Sequence, residues 1–401
     1  MPPAVQALQI GHATPGPVWS EQYCGGAWLL SGYDEVAAAL RDPRFSVRRA
    51  ARWINSGLGP DGSAPTPAQL QFKRVFARSL LFVDGRAHRR LRDVVLPGFK
   101  PAGLQRQAPA IAAIAQRLLA GIDADGAGKF DFVAAFARPL PALVIANLLG
   151  IAHEVPEEFI GWAADLATFI GSPTPEMHQT LAAQQALADM CAFFTQTLAN
   201  TDAIASDGLL AWIAQARQEH RLTAIEALAQ CCTLLFAGYE TTRNLLGNGL
   251  LALLRHPEQW ALLQASPQLL RSAVREMLRY DSPVQYTGRR LVADVELGGR
   301  LLKRGELAIL HIGAANHDAR RFAQPERFDI RRDEGNHLSF GHGPHVCLGA
   351  ALTQLEAEIA FTALMRAMPD IRLAAGAPAW QETSAYRALE RLPVTRKPLH
   401  A

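Results

Sequence analysis

A mainly α-helical fold with small β-sheets is predicted by three observations: many long stretches with apolar residues at helical spacing, few and short strand signals, and one helix signal long enough to cross a domain. Helical patterns cover 102–120, 134–149, 156–170, 177–198, 209–219, 223–254, 267–280 and 348–368. Strand signals are few and short and include 27–30, 295–297 and 307–310, with glycine-rich turns such as Gly298-Gly299 between them. The element that begins at Thr223 is the most telling. Thr223 and Glu226 have capping-box spacing, the pattern runs to about His256, and Pro257 suits the first turn of the next helix. At ~1.5 Å per residue this helix spans roughly 45 to 50 Å. It is apolar on nearly every face from Ile225 to Phe236, which places it at the centre of the fold.

With 401 residues and 49% hydrophobic content the chain can bury a large core; length alone suggests two or three domains, a rule that large single-domain enzymes break, and one domain, 1–401, is the expectation. Forty basic against 37 acidic residues leave a net charge of +3, too balanced for a nucleic-acid binder. The first 17 residues lack a basic segment followed by an apolar one, and no run of about eighteen apolar residues occurs, so no membrane association and a cytoplasmic location are expected. Five cysteines without a paired pattern fit a reducing compartment. The stretch 57–67, rich in glycine and proline, is the candidate for a mobile lid.

The chemistry concentrates in Phe340-Gly341-His342-Gly343-Pro344-His345-Val346-Cys347-Leu348-Gly349, a glycine-rich loop that presents one cysteine at the start of a helix. A thiolate on haem iron favours O–O cleavage and must be shielded from water. Gly341, Gly343 and Gly349 can take positive φ or let backbone amides approach the sulfur, and the helix start adds partial positive charge. Phe340 and Leu348 supply an apolar wall. A buried structural thiol is the plain alternative for Cys347 taken alone. A zinc cluster of His337, His342, His345 and Cys347 is the other, although a histidine and a cysteine two apart are too close for an ordinary chelate pair. Cys24, Cys191, Cys231 and Cys232 read as structural.

In the long helix, Gly238 costs about 1 kcal/mol relative to alanine, so something bulky is expected to approach the backbone there. Glu240 and Thr241 follow it, an acid and a hydroxyl in a buried helix. Thr241 can bond the carbonyl of Ala237 one turn back, which bends helices and opens a groove for a small ligand such as dioxygen. Thr233, Phe236, Ala237, Glu240 and Thr241 share one stripe. On another helix Glu276 and Arg279 stand three apart, and Arg327 in Pro325-Glu326-Arg327-Phe328 is the candidate third partner. His88 and Arg92, four apart, with Arg289 and His345, are candidates to clamp two carboxylates of a bound group.

Together these segments resemble the soluble bacterial cytochromes P-450, over nearly the whole chain. The resemblance is carried by the Cys347 loop, Ala237-Gly238-Tyr239-Glu240-Thr241-Thr242, Glu276-Met277-Leu278-Arg279, His88-Arg89-Arg90-Leu91-Arg92, and Ala315-Asn316-His317-Asp318 with Pro325 to Phe328. It implies a haem-thiolate monooxygenase fold, with haem b (iron protoporphyrin IX) between the long helix and the cysteine-loop helix. Cys347 is then the metal ligand, Glu240 and Thr241 the catalytic acid-alcohol pair, and Glu276, Arg279 and Arg327 a structural triad. Haem contacts would come from His88, Arg92, Ala237, Gly238, Arg289, Phe340, Gly341, His345 and Gly349, the propionates being held by His88, Arg92, Arg289 and His345. By family position the substrate pocket takes Thr233, Phe236, Ala237, Val284 and Tyr286, with further candidates from Trp53 to Val83 and Phe169 to Met177. Two departures are Tyr239, where many bacterial members carry histidine, and Gly85-Arg86-Ala87 in place of a proline-containing turn. Thr241 stands where peroxide-using members carry an Arg-Pro pair, so O2 as co-substrate is the expectation.

No strand-GxGxxG-helix unit and no four-cysteine cluster occurs, so electrons from NAD(P)H must arrive through a separate protein, a ferredoxin or flavodoxin with its reductase. Arg89, Arg90 and Lys100 are candidates for a basic docking face. The expected substrate is a small, largely apolar molecule that is hydroxylated. A haem-thiolate gas sensor without turnover is the alternative, since it would need Cys347 but not the Glu240-Thr241 pair.

Overall fold

The computed structural model describes residues 16–396 apart from 22, 24, 49–65, 125–127, 152–156, 173–174, 201–203 and 383–384. The stretch 57–67, read as a lid, lies outside the described residues as far as 65, as does the pocket candidate Trp53.

The helices that build the site are, in chain order, α1 (Pro67–Phe76), α2 (Gly85–Val95), α3 (Pro101–Ala124), α4 (Pro139–Leu149), α5 (Glu157–Gly171), α6 (Met177–Ala199), α7 (Ala224–Arg255), α8 (Leu270–Tyr280) and α9 (Ala350–Ala367). The 32-residue α7 is the long element expected from 223, and its capping box is complete: Glu226 N–H donates to Thr223 Oγ1 at 3.3 Å and Thr223 N–H to Glu226 Oε2 at 2.9 Å. Two orphan donors of the first turn are thereby satisfied. Most of its side chains are buried, and α4, α5, α6, α8 and α9 pack around it. Burial of each leucine there is worth roughly 1.5–3 kcal/mol, which overrides the cost of glycines within the helix. Gly249 serves the packing directly, because a Cβ there would stand 2.6 Å from Met277 Sδ of α8.

The stretch expected as one helix over 134–149 divides in two. Residues Val133–Ala137 form a wide π-type turn closed by Arg138 N–H to Val133 O at 2.9 Å, and α4 starts only at Pro139. Proline has no N–H to continue the ladder, so the turn widens before it. Helix Tyr33–Arg41 and α1 escaped the sequence reading. α1 is capped by Thr66 and Gln69 in a second complete capping box.

The largest sheet has five strands in the spatial order Val18–Ser20, Ala27–Leu30, Leu307–His311, Tyr286–Leu291 and Phe45–Ser46. Val295–Leu297 and Arg300–Leu302 form a hairpin around Gly298 and Gly299, both at positive φ. The fold is thus mainly helical with small sheets. Among the described residues no helix is long and apolar enough to cross a membrane.

Candidate active site

A cavity of about 350 Å³ lies between the middle of α7 and the loop before α9. Glu240 and Thr241, the nine predicted haem-contact residues with Cys347, and the five predicted pocket residues all border it. Ala237 is exposed to this space although Phe236, Tyr239 and Glu240 beside it are buried.

Gly238 has a reason other than the one expected. A Cβ there would sit 2.7 Å from Ile145 Cδ1, so the bulky group that needs the glycine is a side chain of α4. Thr241 Oγ1 donates to Ala237 O across a long 3.4 Å, and α7 remains helical throughout. The bond is weak, which leaves the hydroxyl available to a cavity guest. Glu240 is buried and accepts from Arg243 Nη1 at 2.9 Å and Asn244 Nδ2 at 3.3 Å, both through Oε1. Its Oε2 is buried with no protein partner. Arg243 is held in turn by Leu389 O at 2.8 Å. Sequence reasoning passed over Arg243 and Asn244, although their spacing of three and four from Glu240 is the signal for such a contact. Tyr239 packs away from the cavity against Ala142, Ala163 and Ile160, and burial pushes its phenol up to about 12.

The cysteine loop is closed by its own backbone. Cys347 N–H donates to Phe340 O at 2.8 Å, Gly341 N–H to Leu338 O at 2.7 Å and Val346 N–H to Gly343 O at 3.0 Å. Gly341 and Gly343 take positive φ, 71° and 76°, and a Cβ on Gly343 would stand 3.0 Å from Leu40 O. Gly349 differs. Its φ is −83°, and a Cβ there would meet Cys347 Sγ at an ordinary 3.9 Å. Cys347 lies deep in the protein with its side chain open to the cavity. Burial pushes its thiol up, while amides of Gly349 and Ala350 and the charge of Arg92 pull the other way. A thiolate in that position needs a cation across the cavity.

One edge of the cavity is lined with donors. His88 and His345 have ring centroids 4.1 Å apart, Arg92 Nη1 donates to Val346 O at 2.9 Å, and Arg289 is buried beside Thr287 and Gly288. Burial, with positive charge on His345 and Arg92, lowers His88 to about 4. Asp84 is the carboxylate paired with this cluster, through His345 Nε2 at 3.2 Å. Burial raises Asp84, but hydrogen bonds from His345 and Ser46 outweigh it and hold the carboxyl at about 2. An iron porphyrin fits these residues: a thiol on one side, an exposed alanine on the other, and a donor edge for two acids. The zinc alternative fits less well. His337 Nδ1 accepts from Ser339 N–H and His345 faces Asp84, and no group of three metal-ligating side chains occurs among the described residues.

Beneath the loop, Glu276 receives Arg279 in a two-bond clamp of 2.7 and 2.9 Å, both side chains nearly inaccessible. The third member is corrected by the structure. Arg332, not Arg327, reaches Glu276, with Nε at 3.2 Å, while the Arg327 side chain is 57% exposed beside Asp329. Arg327 contributes only its carbonyl, which accepts from Arg279 and Arg332. The tight turn closed by Arg327 N–H to Gln324 O leaves the carbonyl inward and the side chain outward, a direction that motif spacing does not report. Asn316 was quoted in the sequence without a role. It accepts from Leu338 N–H at 2.7 Å and donates to Ser282 and Ser339, tying the loop entrance to the end of α8. Nor does Arg90 offer a free charge, since it pairs with Glu226 and donates to Arg221 O, fastening α2 to the start of α7.

The cavity wall also takes Leu81, Phe82 and Ile170 from the two expected ranges, 53–83 and 169–177, and Ile312 and Tyr386, which the sequence reading did not mark. Tyr386 bridges Val284, and Leu81, Phe82, Ile170 and Ile312 add apolar surface. Thr233 lies 2.8 Å from Ser79 Oγ and 2.5 Å from Ala229 O, so its hydroxyl is already engaged.

The family model described as Cytochrome P450 matches residues 62–368. A biotin biosynthesis cytochrome P450 of Bacillus subtilis is 37% identical over 92% of this chain and 90% of its own length. The cytochrome P450 monooxygenase PikC of Streptomyces venezuelae is 36% identical over 92% of this chain and 84% of its own. Among solved structures, P450BioI in complex with hexadec-9Z-enoic acid ligated acyl carrier protein superposes with a TM-score of 0.87 at 34% identity, covering 98% of this chain and 97% of that one.

Proposed function

The chain belongs to the cytochrome P450 family and is a cytochrome P450 monooxygenase, and from that premise we propose that it hydroxylates a largely apolar organic molecule with electrons from a separate redox partner. The observation that carries this reading is the meeting of Cys347, the Glu240-Thr241 pair and the donor edge around one cavity. When bound, haem b supplies the iron that activates O2 for insertion of one oxygen atom. Cys347 holds that iron, and the amides of Gly349 and Ala350 stabilise the thiolate. His88, Arg92, Arg289 and His345 hold the propionates.

Thr241 keeps a hydroxyl at the cavity surface with little competition from Ala237 O, so it orients the proton delivered to the reacting oxygen. Glu240, clamped by Arg243 through one oxygen, keeps the other for passing protons toward Thr241. The aliphatic and aromatic wall excludes water and holds the substrate by shape. Its composition suits an apolar body such as the acyl chain carried by the superposed relative's partner. Ferredoxin or flavodoxin with a reductase is the proposed electron source. Arg89 and Lys100 on the thiolate side, both exposed, provide the charge to steer it.

The reading is tested on the purified, haem-loaded protein. Reduction under carbon monoxide should give the strongly red-shifted Soret band of thiolate ligation, and NADPH with a ferredoxin and its reductase should support substrate-dependent oxygen uptake. Thr241→Ala should keep the spectrum while diverting reducing equivalents to hydrogen peroxide. A colourless protein, or fully coupled turnover in the variant, would overturn the haem or the proton-delivery reading respectively.

A further inference from the structure

Resting on that reading, we propose that Gln230 is a positioning residue for the substrate: its buried amide pins the Ser79–Phe82 turn to α7 and so sets where the apolar wall of the cavity stands. Gln230 lies on α7, only 2% exposed. Its side-chain amide spans two segments separated by about 150 residues in sequence. Oε1 accepts from Leu80 N–H at 3.2 Å, while Nε2 donates to Arg78 O at 2.9 Å and to Glu226 O of its own helix at 3.1 Å. One primary amide thus pairs peptide groups on both sides of Ser79, as a neighbouring strand would.

The turn it holds is short. Leu80–Phe82 is a single 3-10 turn, with Leu81 N–H on Ser79 Oγ at 3.2 Å and Phe82 N–H on Ser79 O at 3.0 Å. Leu80, Leu81 and Phe82 all line the cavity, yet Leu81 is 40% exposed, so this turn is a thin partition. Phe82 stacks on Phe76 at 4.8 Å, and Phe76 in turn on Phe72 at 5.0 Å, contacts that are apolar and supply no hydrogen bond to the turn's backbone. The polar pins from α7 are Gln230, which binds the main chain on both sides of Ser79, and Thr233, which reaches the turn only through the Ser79 hydroxyl. Without the amide, Leu80 N–H and Arg78 O lose buried partners, and the partition samples several positions.

The test compares haem-loaded wild type with Gln230→Leu, which nearly keeps the volume and removes the two bonds to the segment 78–80 along with the one to Glu226 O, and with Ser79→Ala, which loosens the same turn from the other side. Imidazole is the small probe that does not touch the wall, and n-octylimidazole is the probe whose tail must lie against it. Binding is read from the Soret shift, and amide hydrogen exchange is read by mass spectrometry on the peptide containing Leu80 and Leu81. Expected is a rise of about tenfold in Kd for n-octylimidazole, unchanged affinity for imidazole, and exchange faster by about tenfold in that peptide but not in α9, the size of one lost buried hydrogen bond. Ser79→Ala should move the same readouts in the same direction by less. Unchanged tail binding and exchange would overturn the proposal. Loss of both ligands together, or faster exchange throughout, would also overturn it by reducing Gln230 to general stability. Absence of the red-shifted carbon monoxide band in wild type would instead strike the haem-thiolate reading, and the exchange measurement would still judge the pin.

Discussion

The two sides of the cavity are built on different physics. Below Cys347, directional bonds prevail: Glu276 clamped by Arg279, Arg332 closing the group, and Asn316 fastening the loop entrance. On the substrate side the wall is largely hydrocarbon, with Phe82 at the cavity backed by Phe76, Phe72 and Phe169 packed edge and face, and few polar pins between α7 and the turn at Leu80. The contrast teaches where each kind of precision is needed. A metal ligand must stand in one place, which charge-assisted bonds with fixed angles impose. A wall that admits an apolar guest gains affinity from area and tolerates small displacements.

The largest effect should come from the thiolate side. Cys347→Ser is expected to abolish both the red-shifted carbon monoxide spectrum and oxidative turnover, checked by reduced difference spectra at equal haem loading; retention of both would refute ligation by Cys347. Next comes the network below it. Arg332→Ala should destabilise the protein by about 3 kcal/mol, because it removes one partner of a buried charge, as read from urea unfolding. Arg327→Ala, whose side chain is mostly exposed, should cost less than about 1 kcal/mol. Equal losses would return Arg327 to the triad.

A pH effect sharpens the same contrast. Glu356 on α9 is buried with Oε1 unpartnered, and burial pushes its carboxyl from 4.5 up to about 8. The folded protein therefore holds a proton that the unfolded chain releases, and stability is full below about pH 4.5 and declines as pH rises through about 8. Glu356→Gln should flatten that slope and raise stability relative to wild type at alkaline pH by on the order of 1–2 kcal/mol, measured by urea unfolding across the pH range. An unchanged slope would mean that Glu356 finds a partner when folded.

Much of the thiolate side was legible from short-range pattern. Gly341, Gly343 and Cys347 sit within seven residues, and Glu276 with Arg279 within one helical turn. The limit appears at Arg327 and Arg332. Both are arginines near Asp329, and which one points inward depends on the turn at Gln324 and on the packing of α8, information absent from their spacing. The substrate wall was less legible still, because Gln230 meets Leu80, and Val284 meets Tyr386, across long separations in sequence. Cys191 and Cys232, which the chain gives no reason to connect, likewise come to 4.0 Å where α6 packs on α7.

Read alone, the amino-acid sequence determined the helical class, the caps and length of α7, the glycine-rich loop around Cys347 and the adjacency of Glu240 and Thr241 on α7, since each depends on neighbours within a few residues along the chain. Only the tertiary structure decided that Ile145 is what Gly238 accommodates, that Arg332 completes the charge network, and that one amide from α7 holds the turn at Leu80. Those outcomes depend on which surfaces meet when distant elements pack, and close packing selects among partners that local pattern leaves equivalent.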